Sequence, residues 1–307
     1  MKTGEHKIPD PVPLGEVAWK VATTDPPAFI PTGLEALDDL IVGATNGDLT
    51  IIAGRPSEGK TSLCMQIAEH AAAGGVNVGV FSLEMGPEAL SLRQIAAHSG
   101  VSILKLRRRI QTALTPAEQG AIEEAADYLK TLPICVDTRS GLTGEQVYET
   151  VAQWQKQGVG LVILDYIQLM EGDSENRQEA VGKNTRMLKN AARDFKLPMI
   201  ALSQVSRASS SREDKKPRMS DLRDSGQIEQ VGDTIIMLHY PNPDDAMESI
   251  RECDIYAVKQ RQGPVGFASV YFNKPKTRFQ DKPGEKGEPQ DAPASQVKDD
   301  EQQKVWG

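Results

Sequence analysis

One stretch of the chain constrains its fold more than any other: "GRPSEGKT", residues 54 to 61. It matches the pattern GxxxxGK followed by Ser or Thr, with an apolar run "DLTIIAG" before it and an amphipathic run "TSLCMQIAEHAAAGG" after it. A glycine-rich turn between a strand and a helix lets backbone N–H groups surround a phosphate at the helix N-terminus, where the macrodipole favours anions. The sequence therefore predicts a nucleotide-binding loop at the end of a buried strand.

We expect the whole loop and the start of its helix to form the nucleotide site. The predicted contacts are Gly54, Arg55, Pro56, Ser57, Glu58, Gly59, Lys60, Thr61 and Ser62. The Lys60 ammonium is predicted to reach the β- and γ-phosphates, and the Thr61 hydroxyl to hold Mg²⁺. The predicted cofactors are thus ATP, or another nucleoside triphosphate, and Mg²⁺.

A second metal residue is expected at the end of "LVILDYIQLM", which we interpret as a buried strand. Its Asp165 would contact Mg²⁺ through water. In many nucleotide-hydrolysing sites the next residue is an acid that activates water, but here it is Tyr166. The residue that handles the water must therefore come from another strand.

Two further strand ends supply candidates for that role. "VFSLEM" places Glu84 after the strand that follows the loop's helix, and "IALSQV" ends in Gln204. Because the carboxyl ends of parallel strands line one crevice, Glu84 is predicted to orient or deprotonate the attacking water. The alternative is a glutamate at the N-terminus of the helix that starts near Pro87. Gln204 suits a γ-phosphate sensor, although spacing alone supports a structural role equally well.

The fold class predicted from the chain is α/β, because strand-like and helix-like stretches alternate from residue 30 to residue 280. The predicted strands are "DLTIIAG", "VNVGVFSLE", "PICVDT", "LVILDYIQLM", "PMIALSQV", "TIIMLHY", "DIYAVKQ" and "FASVYFN". The last two are joined by "RQGPVG", which indicates a C-terminal β-hairpin after a mostly parallel sheet. Residues 1–29 are expected to be a linker or docking arm with one short helix, and residues 281–307 an acidic disordered tail.

Composition argues against several other classes of protein. The net charge of −8 gives no broad basic surface, and the chain has no apolar run long enough to span a membrane. Cys64, Cys135 and Cys253 are far apart, so neither a disulfide framework nor a zinc site is expected. A reducing cytoplasm is the expected location.

Taken in order, the motifs resemble the ATPase domain of DnaB-type replicative helicases, over residues 30 to 280. The resemblance is carried by "IPTG", "LDDLIVGATNGDLTIIAGRPSEGKTS", "FSLEM", "LVILDYIQLM", "IALSQVSR", "SDLRDSGQIEQVGD" and "VKQRQGPVG". It implies a RecA-like fold, a homo-hexameric ring in a bacterial or phage-infected cell, and 5′→3′ movement on single-stranded DNA driven by ATP. It also implies that Glu84 is the catalytic acid, Asp165 the second metal residue, Arg93 a nucleotide contact and Gln204 the γ-phosphate sensor.

The pair Lys259 and Arg261 is two residues apart on a predicted strand, and so both side chains point to one face. We expect this strand to lie near the hairpin at the far edge of the sheet, out of reach of the chain's own loop. One interpretation is a solvated edge strand protected by positive charge. The resemblance implies the other, a lysine and an arginine finger delivered to the γ-phosphate of the neighbouring subunit.

The DNA side of the resemblance falls on "SRASSSREDKKPRMSDLRDSG", residues 206 to 226, with six basic and four acidic residues. Alone it reads as a charged surface loop. The family places its counterpart in the central channel, where Arg207, Arg223, Asp224 and Gly226 would meet the phosphate backbone of one strand. No aromatic side chain lies in the loop, so backbone contact is the expected mode.

Residues 1–29 are not expected to form the N-terminal helical domain of the family, so primase contact is not expected from this stretch. A helicase loader is a further expected partner. Glu58 stands where relatives usually carry Met, and Asp224 where they carry Glu. Two other functions stay open at this stage. A RecA-like recombinase or mediator would form filaments on DNA, and a non-motor ring ATPase would act as a loader or scaffold without a response to DNA.

The loop yields a first prediction. Replacing Arg207 and Arg223 together with Ala removes two phosphate contacts, so DNA binding should weaken and its salt dependence should flatten by about two units of slope. Binding of single-stranded DNA measured from about 50 to 200 mM salt tests this. An unchanged slope would exclude the loop from phosphate contact.

Overall fold

The computed structural model describes residues 13–24, 29–108, 113–172, 176–205, 216–222, 225–242 and 248–283. The helices within these ranges are α1 (Leu14–Thr23), α2 (Glu35–Ile41), α3 (Lys60–Ala73), α4 (Pro87–Ser99), α5 (Ile103–Arg107), α6 (Pro116–Thr131), α7 (Gly144–Lys156), α8 (Arg177–Phe195) and α9 (Ser225–Val231). The strands are β1 (Phe29–Ile30), β2 (Ala44–Thr45), β3 (Leu49–Gly54), β4 (Asn77–Ser82), β5 (Ile134–Asp137), β6 (Val159–Asp165), β7 (Met199–Gln204), β8 (Thr234–His239), β9 (Ile250–Gln260), β10 (Gly266–Asn273) and β11 (Arg278–Asp281). No helix of this part is long and apolar enough to cross a membrane.

The described residues form a nine-stranded sheet in the order β11-β10-β9-β8-β3-β7-β6-β4-β5. The strands from β8 to β5 in this order are parallel, whereas β9, β10 and β11 are antiparallel additions at one side. The predicted α/β class, the mostly parallel sheet and the C-terminal hairpin are confirmed. The capping boxes that begin α6 and α7 follow from "TPAE" and "TGEQ" in the sequence.

The strand before the phosphate loop lies at the centre of the molecule. Every residue of β3 is buried, because helices cover both faces of the sheet. Ile52 belongs to the apolar cluster that includes α3, and its neighbour Ile51 to the cluster that includes α8. This alternation fixes β3 on both faces, so the loop that follows leaves the sheet from a rigid base.

Two expectations about the strands are wrong, and one strand was missed. β6 ends at Asp165, and residues 167–169 form a turn of 3₁₀ helix instead of continuing the strand. β9 is not at the edge of the sheet, because it pairs with both β8 and β10. β11 was not predicted, and its last residue, Asp281, accepts hydrogen bonds from the backbone N–H groups of Glu35 and Ala36 at the start of α2. The fold thus includes the residue at which the tail was expected to begin, and the outer domain limits stay predictions.

The C-terminal strands pack against the phosphate loop. The rings of Phe272 on β10 and Phe279 on β11 stack with their centroids 4.5 Å apart. A Cβ placed on Gly59 would lie 3.0 Å from the Phe279 ring, so the loop approaches these rings closely because it has no side chain there. Gln66 of α3 exchanges two hydrogen bonds with the backbone of Phe279, at 2.9 and 3.1 Å. The shape of the loop therefore depends on a strand more than 200 residues away.

This packing yields a prediction for Phe279→Ala. Loss of a fully buried aromatic ring should lower the free energy of unfolding by about 3–5 kcal/mol. The loop also loses its support, so affinity for a nucleotide analogue should fall. Urea denaturation and equilibrium binding measure the two effects. In the control, Phe267→Ala, a half-buried ring that stacks on Tyr256 is removed from β10 away from the loop, so stability alone should change. Equal analogue affinity in both variants would contradict the prediction.

Candidate nucleotide site

The strand ends meet in a cleft of about 340 Å³ above the parallel part of the sheet. The predicted residues that line it are Pro56, Ser57, Gly59, Lys60, Thr61, Ser62, Glu84, Arg93, Asp165 and Gln204. They come from the phosphate loop, α4 and the ends of three neighbouring strands. The structure therefore brings together all the catalytic and metal residues predicted for one subunit.

The phosphate loop adopts a compact turn at the N-terminus of α3. Ser57 and Gly59 have positive φ angles of 67° and 95°, and glycine takes this conformation at little cost. The Lys60 ammonium donates hydrogen bonds to the carbonyl oxygens of Gly54 and Arg55, both at 2.9 Å. Burial lowers the pKa of Lys60, and the nearby carboxylates offset part of that shift. The ammonium is thus held within the turn that would surround a phosphate.

Thr61 and Asp165 lie together at the foot of the cleft. The Thr61 hydroxyl donates a hydrogen bond of 2.7 Å to the Asp165 carboxylate, which is 4% exposed. Burial raises the pKa of Asp165, and the charge of Glu84 adds to the rise. Mg²⁺ prefers oxygen ligands, usually one or two protein oxygens with phosphate and water. These two oxygens at a helix N-terminus fit that requirement.

Glu58 does not line the cleft, although the sequence placed it among the predicted nucleotide contacts. Its carboxylate turns back and accepts a hydrogen bond of 2.5 Å from the backbone N–H of Arg55. Its carbonyl oxygen accepts one of 2.6 Å from the Tyr240 hydroxyl on the sheet side. Gly54 makes room for this arrangement, since a Cβ there would lie 3.2 Å from the Glu58 carboxylate. Gly54, Arg55 and Glu58 therefore form the base of the loop, while the remaining residues line the cleft.

Glu84 and Gln204 approach the loop from β4 and β7. The turn that carries Glu84 is fixed where the N–H of Leu83 donates to the Asp165 carbonyl oxygen at 2.8 Å. Gln204 pairs with Gly54 at the ends of β7 and β3. Tyr166 stands at the position where other sites carry an acid. Burial raises the pKa of this tyrosine, and the charge of Glu84 adds to the rise. Glu84 and Asp165 are therefore the two carboxylates that line the cleft.

The cleft also contains cations that sequence reasoning missed. Arg107 of α5 and Lys274 of the β10–β11 turn line it together with Arg93. Burial lowers the pKa of Arg93, and the charge of Arg107 lowers it further. Two arginines that face one cleft indicate an anionic ligand. Only tertiary contacts, such as that of the Thr277 hydroxyl with the Arg93 carbonyl oxygen at 2.9 Å, bring the turn here. The basic run at residues 107–109 was the one available signal.

Lys259 and Arg261 lie at the opposite end of the sheet. Gln260, between them, pairs with Thr234, and Thr234 pairs with Thr50 near the start of β3. The phosphate loop begins at the other end of β3, four residues beyond Thr50 and about 13 Å away at strand spacing. Burial lowers the pKa of Lys259, and the charge of Arg261 adds to this. The structure agrees with the expectation that the pair lies away from its own loop. The pair lies next to the β9–β10 hairpin, as predicted, but β9 as a whole is an interior strand of the sheet.

The predicted DNA contacts are only partly visible. Arg207, Arg223 and Asp224 lie outside the described residues. Gly226 lies in the first turn of α9 and is exposed, and a Cβ there would meet no atom within 4 Å. The open backbone at Gly226 is compatible with the close approach of a phosphate.

Fold and cleft define a protein of the P-loop nucleotide-binding class with a RecA-like sheet. The family model for the DnaB-like helicase C-terminal domain matches residues 29–281, and the chain belongs to this family. The replicative helicases DnaB of Geobacillus stearothermophilus and DnaC of Bacillus subtilis are 38% and 37% identical to it. Both matches cover 81% of this chain but 56% of the relative, so the chain spans about half the length of these relatives.

Solved structures show the same relationship. A DnaB-like replicative helicase, solved in a study of its interactions with primase, superposes with a TM-score of 0.78 at 29% identity. That match covers 88% of this chain and 66% of the helicase. A second solved structure, of an ATPase domain, gives a TM-score of 0.77 at 30% identity, over 88% of this chain and 97% of that one. The RecA-like fold predicted from the sequence is confirmed.

The cleft yields a prediction for Glu84→Gln. The amide keeps the size of the side chain but cannot accept a proton, so turnover should fall by about 10²–10⁴ while nucleotide binding persists. Steady-state hydrolysis and binding of a fluorescent analogue measure the two. Glu88→Gln is the matched control, since it removes a carboxylate from the first turn of α4 that does not line the cleft. Near-normal turnover of Glu84→Gln would remove Glu84 from the role.

Proposed function

We propose that this chain is the motor of an ATP-dependent replicative DNA helicase, a homo-hexameric ring that moves 5′→3′ on single-stranded DNA and unwinds duplex. Membership of the DnaB-like family and the complete set of cleft residues support the proposal. The single observation that carries it is the separation of Lys259 and Arg261 from their own phosphate loop by the length of β3. Because these two cations lie so far from the nucleotide of their own subunit, they act on the nucleotide of a neighbouring subunit.

Within one subunit, each side chain of the cleft has a separate proposed role in hydrolysis. Lys60 and the loop amides would bind the β- and γ-phosphates. Thr61 and Asp165 would hold Mg²⁺, which would neutralise charge that develops on the phosphates. Glu84 orients the attacking water and takes its proton. Gln204 would contact the γ-phosphate and connect it to the end of β7. Arg93 contributes positive charge from α4, and Arg107 adds to it.

The second half of the reaction site comes from the next subunit. A heterologous contact between identical subunits places the same two cations at each successive cleft and closes into a ring. Lys259 and Arg261 would stabilise the negative charge of the transition state there, an effect worth about 10³–10⁵ in rate. The mild basic excess of residues 206–226, repeated around the ring, gives a sequence-independent track for DNA phosphates. The bacterial cytoplasm is the proposed location, and a helicase loader stays a predicted partner.

Each contact between neighbouring subunits, which we call a seam, pairs the cleft of one subunit with Lys259 and Arg261 of the next. The seam can be tested by mixing two inactive variants. The Arg261→Ala subunit has an intact cleft but no arginine finger for its neighbour. The Glu84→Gln subunit has an intact arginine finger but a cleft that cannot hydrolyse ATP. Random mixing should restore about a quarter of the seams, because half of the subunits carry each intact part. Hydrolysis without DNA, measured on rings whose mass confirms mixing, gives the readout.

A mixture of Arg261→Ala with Lys259→Ala is the matched control. Both variants then lack part of the finger, so no seam is complete and activity should stay absent. Failure of Arg261→Ala and Glu84→Gln to restore hydrolysis in confirmed mixed rings would contradict a finger that acts across the seam. Unwinding of a forked duplex without pairing of homologous strands would exclude a recombinase, and stimulation by single-stranded DNA would exclude a protein-only scaffold.

A further inference from the structure

Lys259 and Arg261 sit in a socket, which we define as the end of α9 and the residues up to Asp233. The Lys259 ammonium donates hydrogen bonds to the carbonyl oxygens of Glu229 at 2.5 Å and Gly232 at 2.7 Å. Nη2 of Arg261 donates to the carbonyl oxygen of Gln230 at 3.0 Å. The last carbonyls of a helix lack partners within it, and the helix dipole favours cations at that end. The socket therefore holds both cations side by side.

Asp233 orients the guanidinium without trapping it. Its carboxylate, 3% exposed, accepts hydrogen bonds from the N–H of Leu49 at 2.8 Å and from the Lys189 ammonium at 2.6 Å. Nη1 of Arg261 lies farther away, at 3.5 Å, and this side chain is 52% exposed. Both hydrogen bonds end on Oδ2 of Asp233, whereas Arg261 faces Oδ1. Because the Lys189 ammonium stays beside the carboxylate, Arg261 can leave it without stranding an unpaired charge. The contact with Asp233 therefore orients the Arg261 side chain, which stays exposed enough to extend away from the protein.

The other end of α9 is where the predicted DNA loop arrives. Residues 206–226 lead into this helix, and Gly226 in its first turn is exposed. The seven residues of α9 span only about 10 Å. Ile228 is fully buried, and Gln227 accepts a hydrogen bond of 2.5 Å from Arg186 of α8. A short, well-packed helix thus joins the DNA loop to the carbonyls of the socket.

We infer that Asp233 and the end of α9 position Lys259 and Arg261 for the nucleotide of the neighbouring subunit, and that α9 transmits DNA contact at its start to these cations. A shift of α9 moves the socket carbonyls together, so both side chains follow. DNA then changes the finger of one subunit, and with it hydrolysis in the next. This inference rests on the proposed function, because it needs both the finger and the DNA loop.

The positioning role is tested with Asp233→Asn. Asparagine keeps the size of the side chain and an oxygen for the Leu49 N–H, but removes the charge that faces Arg261 and Lys189. Asp48→Asn is the matched control, since the Asp48 carboxylate also contacts Lys189, at 3.3 Å, while its other hydrogen bond comes from Gln262. The kcat of Asp233→Asn with saturating single-stranded DNA should fall about tenfold, with KM for ATP and DNA affinity little changed. Asp48→Asn should behave as wild type, and Arg261→Lys combined with Asp233→Asn should add little to Arg261→Lys alone.

The transmission through α9 is tested on the unaltered protein, which avoids any variant that fails to fold. Hydrogen exchange is measured with a non-hydrolysable ATP analogue, with and without an oligothymidylate whose binding is confirmed in the same sample. The amides of residues 229–233, and that of Arg261, which donates to the Asp233 carbonyl oxygen at 3.1 Å, should change their exchange. The amides of β11 should not change, because they lie across the sheet from α9.

The outcomes separate this inference from the proposed function. Normal kcat in Asp233→Asn, while Arg261→Ala is inactive, would overturn the positioning role and leave the finger in place. Unchanged exchange at residues 229–233 and Arg261 despite confirmed DNA binding would overturn the transmission. Full turnover in Arg261→Ala, or no binding of DNA at all, would reject the proposed function, and the inference would be rejected with it.

Discussion

The antiparallel pairing of β9 with β8 is the constraint on which the rest of this protein depends. Every strand from β3 to β8 in the parallel part points its carboxyl end toward the phosphate loop, so their last residues meet there. β9 runs the other way, and its last residues are delivered to the far end of the sheet. One reversal of chain direction therefore separates the nucleotide cleft from Lys259 and Arg261. The proposed ring follows from it, since the two ends can meet only between copies.

A second dependence connects the loop to the C-terminal strands. Gly59 lies against the Phe272 and Phe279 rings, and Tyr240 holds the Glu58 carbonyl oxygen. Burial raises the pKa of Glu58, and contact with the Arg55 N–H offsets part of that rise. Glu58, an unusual residue for a phosphate-binding loop, thus lies on the inner side of the loop, where its carboxylate stabilises the turn. The antiparallel strands both support the cleft of one subunit and carry the cations proposed for the next.

Much of the site was predictable because it depends on local patterns. A glycine-rich turn after a buried strand has few conformations, and polar residues at strand ends must gather at one edge of a parallel sheet. Lys60, Thr61, Glu84 and Asp165 were assigned on these grounds and meet in the cleft. β11 was missed because its four residues contain one buried apolar side chain, Phe279, too few to show alternation.

The sequence by itself determined the phosphate loop, the order of the strands along the chain, and which side chains end them. These depend on backbone freedom and on the period of buried residues, both of which are local. Only the tertiary structure decided that Glu58 faces inward, that Arg107 and Lys274 join the cleft, and that Asp233 lies beside Arg261. Those outcomes depend on which distant segments come within a few ångströms, and no local pattern encodes that distance.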